Sequence, residues 1–130
     1  MSLGNSELKA GFVTYGDVKA LGNDTSTLII DVRNSTELEQ TGKIPGSIHI
    51  PINEVHDVLK NLPPDQFRER YQREKPGFDT PLVFSCQRGV RSARAGTIAL
   101  NLGYVNVKDY SGSWLDWEAK SKQENTLSNS

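Results

Sequence analysis

Cys86 is the only cysteine in 130 residues, and it stands in the run Ser85-Cys86-Gln87-Arg88-Gly89-Val90-Arg91-Ser92. An apolar stretch, Pro81 to Phe84, leads into this run, and a helical pattern from Ser92 to Leu102 leads out of it. Strand, short polar loop and helix is a layout that turns backbone N–H groups toward an anion. Gly89 permits the positive φ that a tight turn requires. Arg88 and Arg91 add fixed positive charge. A thiol in such surroundings is expected to ionise more readily than a free one and to act as a nucleophile. A lone cysteine at a strand end is usually a small apolar filler. A filler has no need of one Gly and two Arg within five residues, so the nucleophile is the better reading.

The elements that must position this thiol alternate along the chain. Thr14 to Asp17 forms a capping-box-like helix start, with Asp in place of Glu, and Gly22-Asn23 ends that helix. Thr27 to Val32 is a continuous apolar, β-branched run, which reads as a strand covered on both faces and hence as part of a parallel sheet. Asp31 and Arg33 stand at its carboxyl end, the edge where ligands bind in open α/β sheets. Their expected work is an ion pair that braces the loop. Asn34 or Ser35 caps the next helix, and Gly42 stops it. Pro45-Gly46 makes a turn into the short strand Ser47 to Ile50. His49 faces away from Ile48 and Ile50; it reads as a hydrogen-bonded strand residue, with a general base for Cys86 as the sharper option, and His56 reads as a surface residue.

A helix over Asn53 to Leu62, capped by Asn53, ends at Pro63-Pro64. Pro64 opens another helix, whose apolar side is Phe67 and Tyr71; the charged residues of Gln66–Lys75 read as a solvated face. Gly103 is placed to end the helix after the cysteine loop. Val105 to Tyr110 alternates and reads as the last strand. Ser113 is expected to cap a final helix beginning at Trp114, and the polar residues from about Ser121 onward read as a frayed tail.

Size and charge narrow the classes. A chain of 130 residues suits one domain. A net charge of −1 offers no general argument for nucleic acid or membrane partners, and no apolar run approaches a membrane span. One cysteine excludes an internal disulfide framework and suits a reducing compartment. The expected limits are a domain over residues 13–119, an N-terminal extension over 1–12 whose Met1 to Gly4 look like a vector remnant, and a flexible tail over 120–130.

Asp31-Val32-Arg33, Ile44 to Pro51, Cys86 to Ser92 and Tyr110 to Trp114 occur in this order, and together they resemble the single-domain rhodaneses, which are thiosulfate sulfurtransferases. The helical insert with Phe67, Tyr71 and Lys75-Pro76 is similar to the small eukaryotic branch that includes thiosulfate:glutathione sulfurtransferases and an insect heat-shock-locus rhodanese. The resemblance implies a rhodanese-like α/β fold with a five-stranded, mainly parallel sheet flanked by helices on both faces. It implies a persulfide on Cys86, and a loop formed by Gln87, Arg88, Gly89, Val90, Arg91 and Ser92 that holds the sulfur and the donor anion. Asp31, Arg33 and Trp114 support that loop. Thiosulfate is then the donor, and glutathione, a protein thiol such as that of thioredoxin, or cyanide is the acceptor. No metal or organic cofactor is implied, and the compartment is the cytoplasm or the mitochondrial matrix. Ser113 stands where many members carry a second Gly, a departure that leaves catalysis undisturbed and narrows the turn.

Two other readings stand beside this one. Phosphatases of the cell-cycle type share the fold, but they separate cysteine and arginine by five residues; here Arg91 comes one residue early and position 92 is Ser. A non-catalytic rhodanese-like binding or stress module is the other, although such modules often lack the cysteine that this chain keeps.

Overall fold

A computed structural model describes residues 9–128. Five parallel strands form one sheet: β1 (Gly11–Phe12), β2 (Leu28–Asp31), β3 (Ile48–His49), β4 (Leu82–Ser85) and β5 (Val107–Asp109), in the order β1-β5-β4-β2-β3. The helices between and after them are α1 (Tyr15–Leu21), α2 (Ser35–Thr41), α3 (Ile52–Asn61), α4 (Pro64–Tyr71), α5 (Val90–Asn101) and α6 (Ser113–Ser128). All residues of β2 and β4 are buried, as a sheet packed on both faces requires. Leu28, Ile30, Leu82 and Phe84 pack with α3, α4 and α5 residues such as Val55, Phe67 and Ala95. Ile29 and Val83 face the other way, toward Tyr15, Val18, Tyr110 and Trp114. The central strands end together, with Asp31 in register with Ser85 and with His49, so the chemistry-bearing residues collect at one carboxyl edge.

Several local expectations hold. Thr14 and Asp17 close a reciprocal capping box on α1, and Asn34 and Glu37 close another on α2. Pro64 opens α4, and Gly103 adopts a φ of 109° just past α5. No helix among the described residues is long and apolar enough to cross a membrane.

Other expectations are corrected. The sheet begins before residue 13, because Gly11 and Phe12 pair with Lys108 and Asp109. Phe12 is 74 % exposed, so no buried pattern marks this strand; its partner defines it. α3 starts at Ile52 after Pro51, without a side-chain cap, so Asn53 does not cap it. α4 stops at Tyr71 because Gln72 takes a left-handed conformation. Arg73 and Lys75 are ties rather than solvated charges: Arg73 donates to the carbonyls of Thr25, Thr27 and Gly46, and Lys75 to that of Leu62. At the other end, α6 runs to Ser128, past the expected start of the tail. Glu124, in this supposedly frayed stretch, accepts hydrogen bonds from Tyr15 and Lys19 of α1, and these contacts hold the polar helix down. Met1 to Gly4 lie outside the described residues.

Candidate active site

The loop leaves β4 at Cys86 and enters α5 at Val90. Gly89 makes the turn with a φ of 102°, and a Cβ there would stand 2.4 Å from the Ser111 carbonyl oxygen. Only glycine meets both demands. The start of α6 fastens the loop from the other side. Trp114 N–H donates to the Cys86 carbonyl at 2.9 Å, and Leu115 N–H to that of Gln87 at 3.2 Å.

Cys86 is 1 % exposed, with its thiol at the head of α5. Two backbone N–H groups donate to Sγ, that of Gly89 at 3.0 Å and that of Ser92 at 3.4 Å, and two hydroxyls stand beside it, Ser92 Oγ at 3.5 Å and Ser113 Oγ at 3.7 Å. Burial pushes the thiol up, but the hydrogen bonds from Ser92, Ser113 and Gly89 together outweigh it and hold the thiol below its ordinary value. The direction is the expected one, and the loop amides of Gly89 and Ser92 are among its expected causes; the hydroxyls of Ser92 and Ser113 join them, and no arginine is among the groups that lower the thiol.

Arg91 is bound to Glu37 of α2 through both ends of its guanidinium, at 2.6 and 2.8 Å. The pair holds Glu37 down at about 2, through the Arg91 hydrogen bond first, against burial. Arg88 and Val90 are exposed, Val90 at 71 %, and Gln87 is half-buried. Glu37, Cys86, Gln87, Arg88, Val90 and Arg91 line a mouth of about 290 Å³ over the thiol.

Asp31 and Arg33 form a buried ion pair, with Arg33 Nη2 2.7 Å from Asp31 Oδ2. Arg33 also donates to Thr41, to the Gly42 carbonyl and to Gln87 Oε1. Its guanidinium lies 5.2 Å from the Trp114 ring centroid. These contacts join the cysteine loop to α2 and α6, the arrangement that a loop brace needs. His49 is not brought to the thiol; its Nε2 bonds the Arg33 carbonyl at 2.6 Å. His56 is exposed.

Three residues at the site carried no such assignment from sequence. Ser113 does not cap α6 with its side chain. It sits at a φ of 57°, accepts from Cys86 N–H at 3.0 Å and donates to the Tyr110 carbonyl, so the departure from Gly puts a hydroxyl beside the thiol. Glu37, in the first turn of α2, is the partner of Arg91. Asp109, at the end of β5, is a buried carboxyl near Ser92. Two of them, Glu37 and Asp109, signal nothing in the local pattern, because only the fold brings them here.

The model of the rhodanese-like domain matches residues 14–120. A mouse protein, thiosulfate sulfurtransferase/rhodanese-like domain-containing protein 3, is 46 % identical over 105 residues, which are 81 % of this chain and 66 % of that protein. The fruit-fly rhodanese domain-containing protein CG4456 is 44 % identical over 107 residues, 82 % of this chain and 96 % of that one. Human thiosulfate:glutathione sulfurtransferase is 35 % identical over 109 residues, covering 83 % and 93 %. Among solved structures, the human single-domain sulfurtransferase TSTD1 superposes with a TM-score of 0.76 at 32 % identity, over 85 % of this chain and 97 % of that one. The chain belongs to the rhodanese-like domain family.

Proposed function

We propose that this sulfurtransferase moves the sulfane sulfur of thiosulfate through a persulfide on Cys86 to a thiol acceptor. The observation that carries the reading is the convergence of two backbone N–H groups and two serine hydroxyls on one buried thiol at the head of a helix. The names of the relatives support sulfur transfer as the general activity.

The Cys86 thiolate attacks the outer sulfur of thiosulfate. The S–S bond of the donor breaks, and sulfite leaves with its electron pair. The negative charge passes to the outer sulfur of Cys86–S–S⁻, where the loop amides offer their N–H groups. A second thiolate then attacks that outer sulfur, carries it away as its own persulfide and returns Cys86 to the thiolate. Cyanide in place of the thiol gives thiocyanate. No step needs a general base, which agrees with His49 being engaged elsewhere. The donor reaches the thiol through the mouth beside Arg88, whose exposed charge draws anions. Glutathione is the small acceptor proposed, on the name of the human relative, with a protein thiol such as thioredoxin's as the larger one. The free thiol suits cytoplasm or mitochondrial matrix.

Intact mass tests the reading. Thiosulfate should add ~32 Da on Cys86, and glutathione or cyanide should remove it, because the persulfide is a covalent intermediate. Cys86→Ser should lose both the adduct and turnover. A wild-type mass unchanged by thiosulfate would overturn the proposal.

A further inference from the structure

Gln87 follows the nucleophile in the chain and is held both by its backbone and by its side chain. Its carbonyl accepts from Leu115 N–H at 3.2 Å, at the start of α6. Its Oε1 accepts from Arg33 Nη1 at 3.2 Å. Arg33 is fully buried and is itself fixed by Asp31, Thr41 and the Gly42 carbonyl, so it is a firm anchor for this amide. A guanidinium carries donors and no acceptor. The end of the Gln87 amide that meets it must therefore be the oxygen, and the NH₂ end must turn away. The two ends of a glutamine amide are otherwise hard to tell apart; here the chemistry of Arg33 decides between them.

The Nε2 presented in this way has no hydrogen-bond partner among the described residues. Nor is it sealed in. The buried side-chain atoms without a partner among those residues are Ser85 Oγ, Asp109 Oδ1 and Trp114 Nε1, and Gln87 Nε2 is not one of them. Nε2 therefore meets solvent, and the opening that the half-buried Gln87 lines is the mouth over the thiol. The charged groups of that mouth do different work. Glu37 and Arg91 are bound to each other, and Arg88 is exposed, where its charge acts at long range. Thiosulfate comes to Sγ with its outer sulfur first, so its oxygens trail outward into the mouth. They are acceptors only, and they take up charge as the S–S bond breaks and sulfite leaves.

We propose that Gln87 is a specificity-determining residue for the sulfur donor. Its Nε2, aimed by Arg33, donates to an oxygen of thiosulfate and favours donors that carry oxygen on the inner sulfur over donors made of sulfur alone. The hydrogen bond strengthens as sulfite forms, so it serves the departing group as well as the bound donor.

The inference rests on the proposed function for its donor. Persulfide formation is followed by intact mass in single turnovers with two donors, thiosulfate and inorganic disulfide, HSS⁻, an anion without oxygen. With the second donor, the Cys86 thiolate attacks one sulfur, the S–S bond breaks, and hydrosulfide leaves with the electron pair; the adduct is the same. Gln87→Met keeps the length of the side chain and removes the donor group. It should lower the ratio of the thiosulfate rate constant to the disulfide rate constant about tenfold, the usual loss for a hydrogen bond to a charged acceptor. An equal loss with both donors, or no loss, would overturn the proposal. Gln87→Glu keeps the bond to Arg33 but turns a carboxylate oxygen toward the donor, and should lower the thiosulfate rate constant about 100-fold. A Gln87→Glu rate constant within about twofold of the wild type would also overturn the proposal, and this variant decides the matter if Gln87→Met does not fold. A third comparison needs no sulfur transfer. In Cys86→Ser, Kd for thiosulfate from an NMR titration should rise several-fold when Gln87→Met is added, and an unchanged Kd would count as refutation. A wild type that takes no sulfur from thiosulfate, with this Kd difference intact, would sink the functional reading and leave the present one standing.

Discussion

The two loop arginines are not equivalent, and Glu37 is what separates them. Arg91 is clamped to Glu37 by two short hydrogen bonds, so its charge is largely spent before a donor arrives. Its remaining service is to tie α2 to the head of α5. Arg88 is exposed at the mouth and keeps its charge for the substrate. Replacing Arg88 with Ala should raise KM for thiosulfate a few-fold, and the deficit should narrow in high salt, since exposed charges are screened beyond ~10 Å at 0.1 M. Arg91→Ala should lower kcat/KM more, by about 10- to 100-fold, with little salt dependence, because a charge-assisted brace is lost and Glu37 is left half-buried beside the thiolate. Steady-state kinetics at two ionic strengths decide it. An Arg88→Ala deficit that salt leaves untouched would reverse the assignment. A companion variant, Glu37→Gln, keeps the capping box on α2, since Gln also serves there. By freeing Arg91 for the donor, it should lower KM for thiosulfate; a KM at or above the wild-type value would mean that Arg91 cannot reach the donor even when released.

The elements differ in how openly the sequence declares them. β2 and β4 are legible because continuous apolar runs have few other uses in a short chain, and the capping boxes are legible because they are local chemistry. The cysteine loop is legible for the same reason: its Gly and Arg sit within five residues of the thiol. What stays hidden is whatever depends on a distant partner. β1 is two residues made into a strand by β5. Ser113 is 27 residues from Cys86, and Glu37 is 54 from Arg91, so neither could be assigned to the thiol by spacing alone. The length of α6 depends on Glu124 meeting α1. The brace across elements yields a prediction at this scale. Arg33 holds the β2 end, α2, the loop and Trp114 together from a fully buried position. Arg33→Met leaves Asp31 buried without its partner, which should cost about 3–5 kcal/mol of stability. Chemical denaturation measures it. A loss below about 1 kcal/mol would show that the pair is dispensable. Gly89→Ala meets a harder limit, since its Cβ would collide with backbone of the turn before α6. It should lose adduct formation with thiosulfate even where the far-ultraviolet spectrum stays native.

At the scale of the whole molecule, two carboxyls tilt stability in opposite directions with pH. Glu37 is held at about 2, below its ordinary 4.5. A group so depressed contributes stability that is present above its unfolded value and lost as pH falls from about 4.5 toward 2. With partial exposure taken into account, that contribution is on the order of 1–2 kcal/mol. Asp109 is pushed the other way by burial. Its contribution is present below the ordinary carboxylate value and is lost as pH rises through its raised one. The wild type should therefore lose stability through Glu37 as pH falls below the ordinary carboxylate range and through Asp109 as pH rises above it. Thermal melts against pH separate the two. Glu37→Gln should flatten the acid limb and leave the other in place. Asp109→Asn should raise Tm at pH 8, well above the ordinary carboxylate range, by more than it does at pH 4. The alkaline gain is the sharper test, because replacing a carboxyl by an amide at a pairing surface site would not stabilise at all. If Asp109→Asn melted at or below the wild type at pH 8, burial of an unpartnered carboxyl would not be the force acting on that side of the sheet.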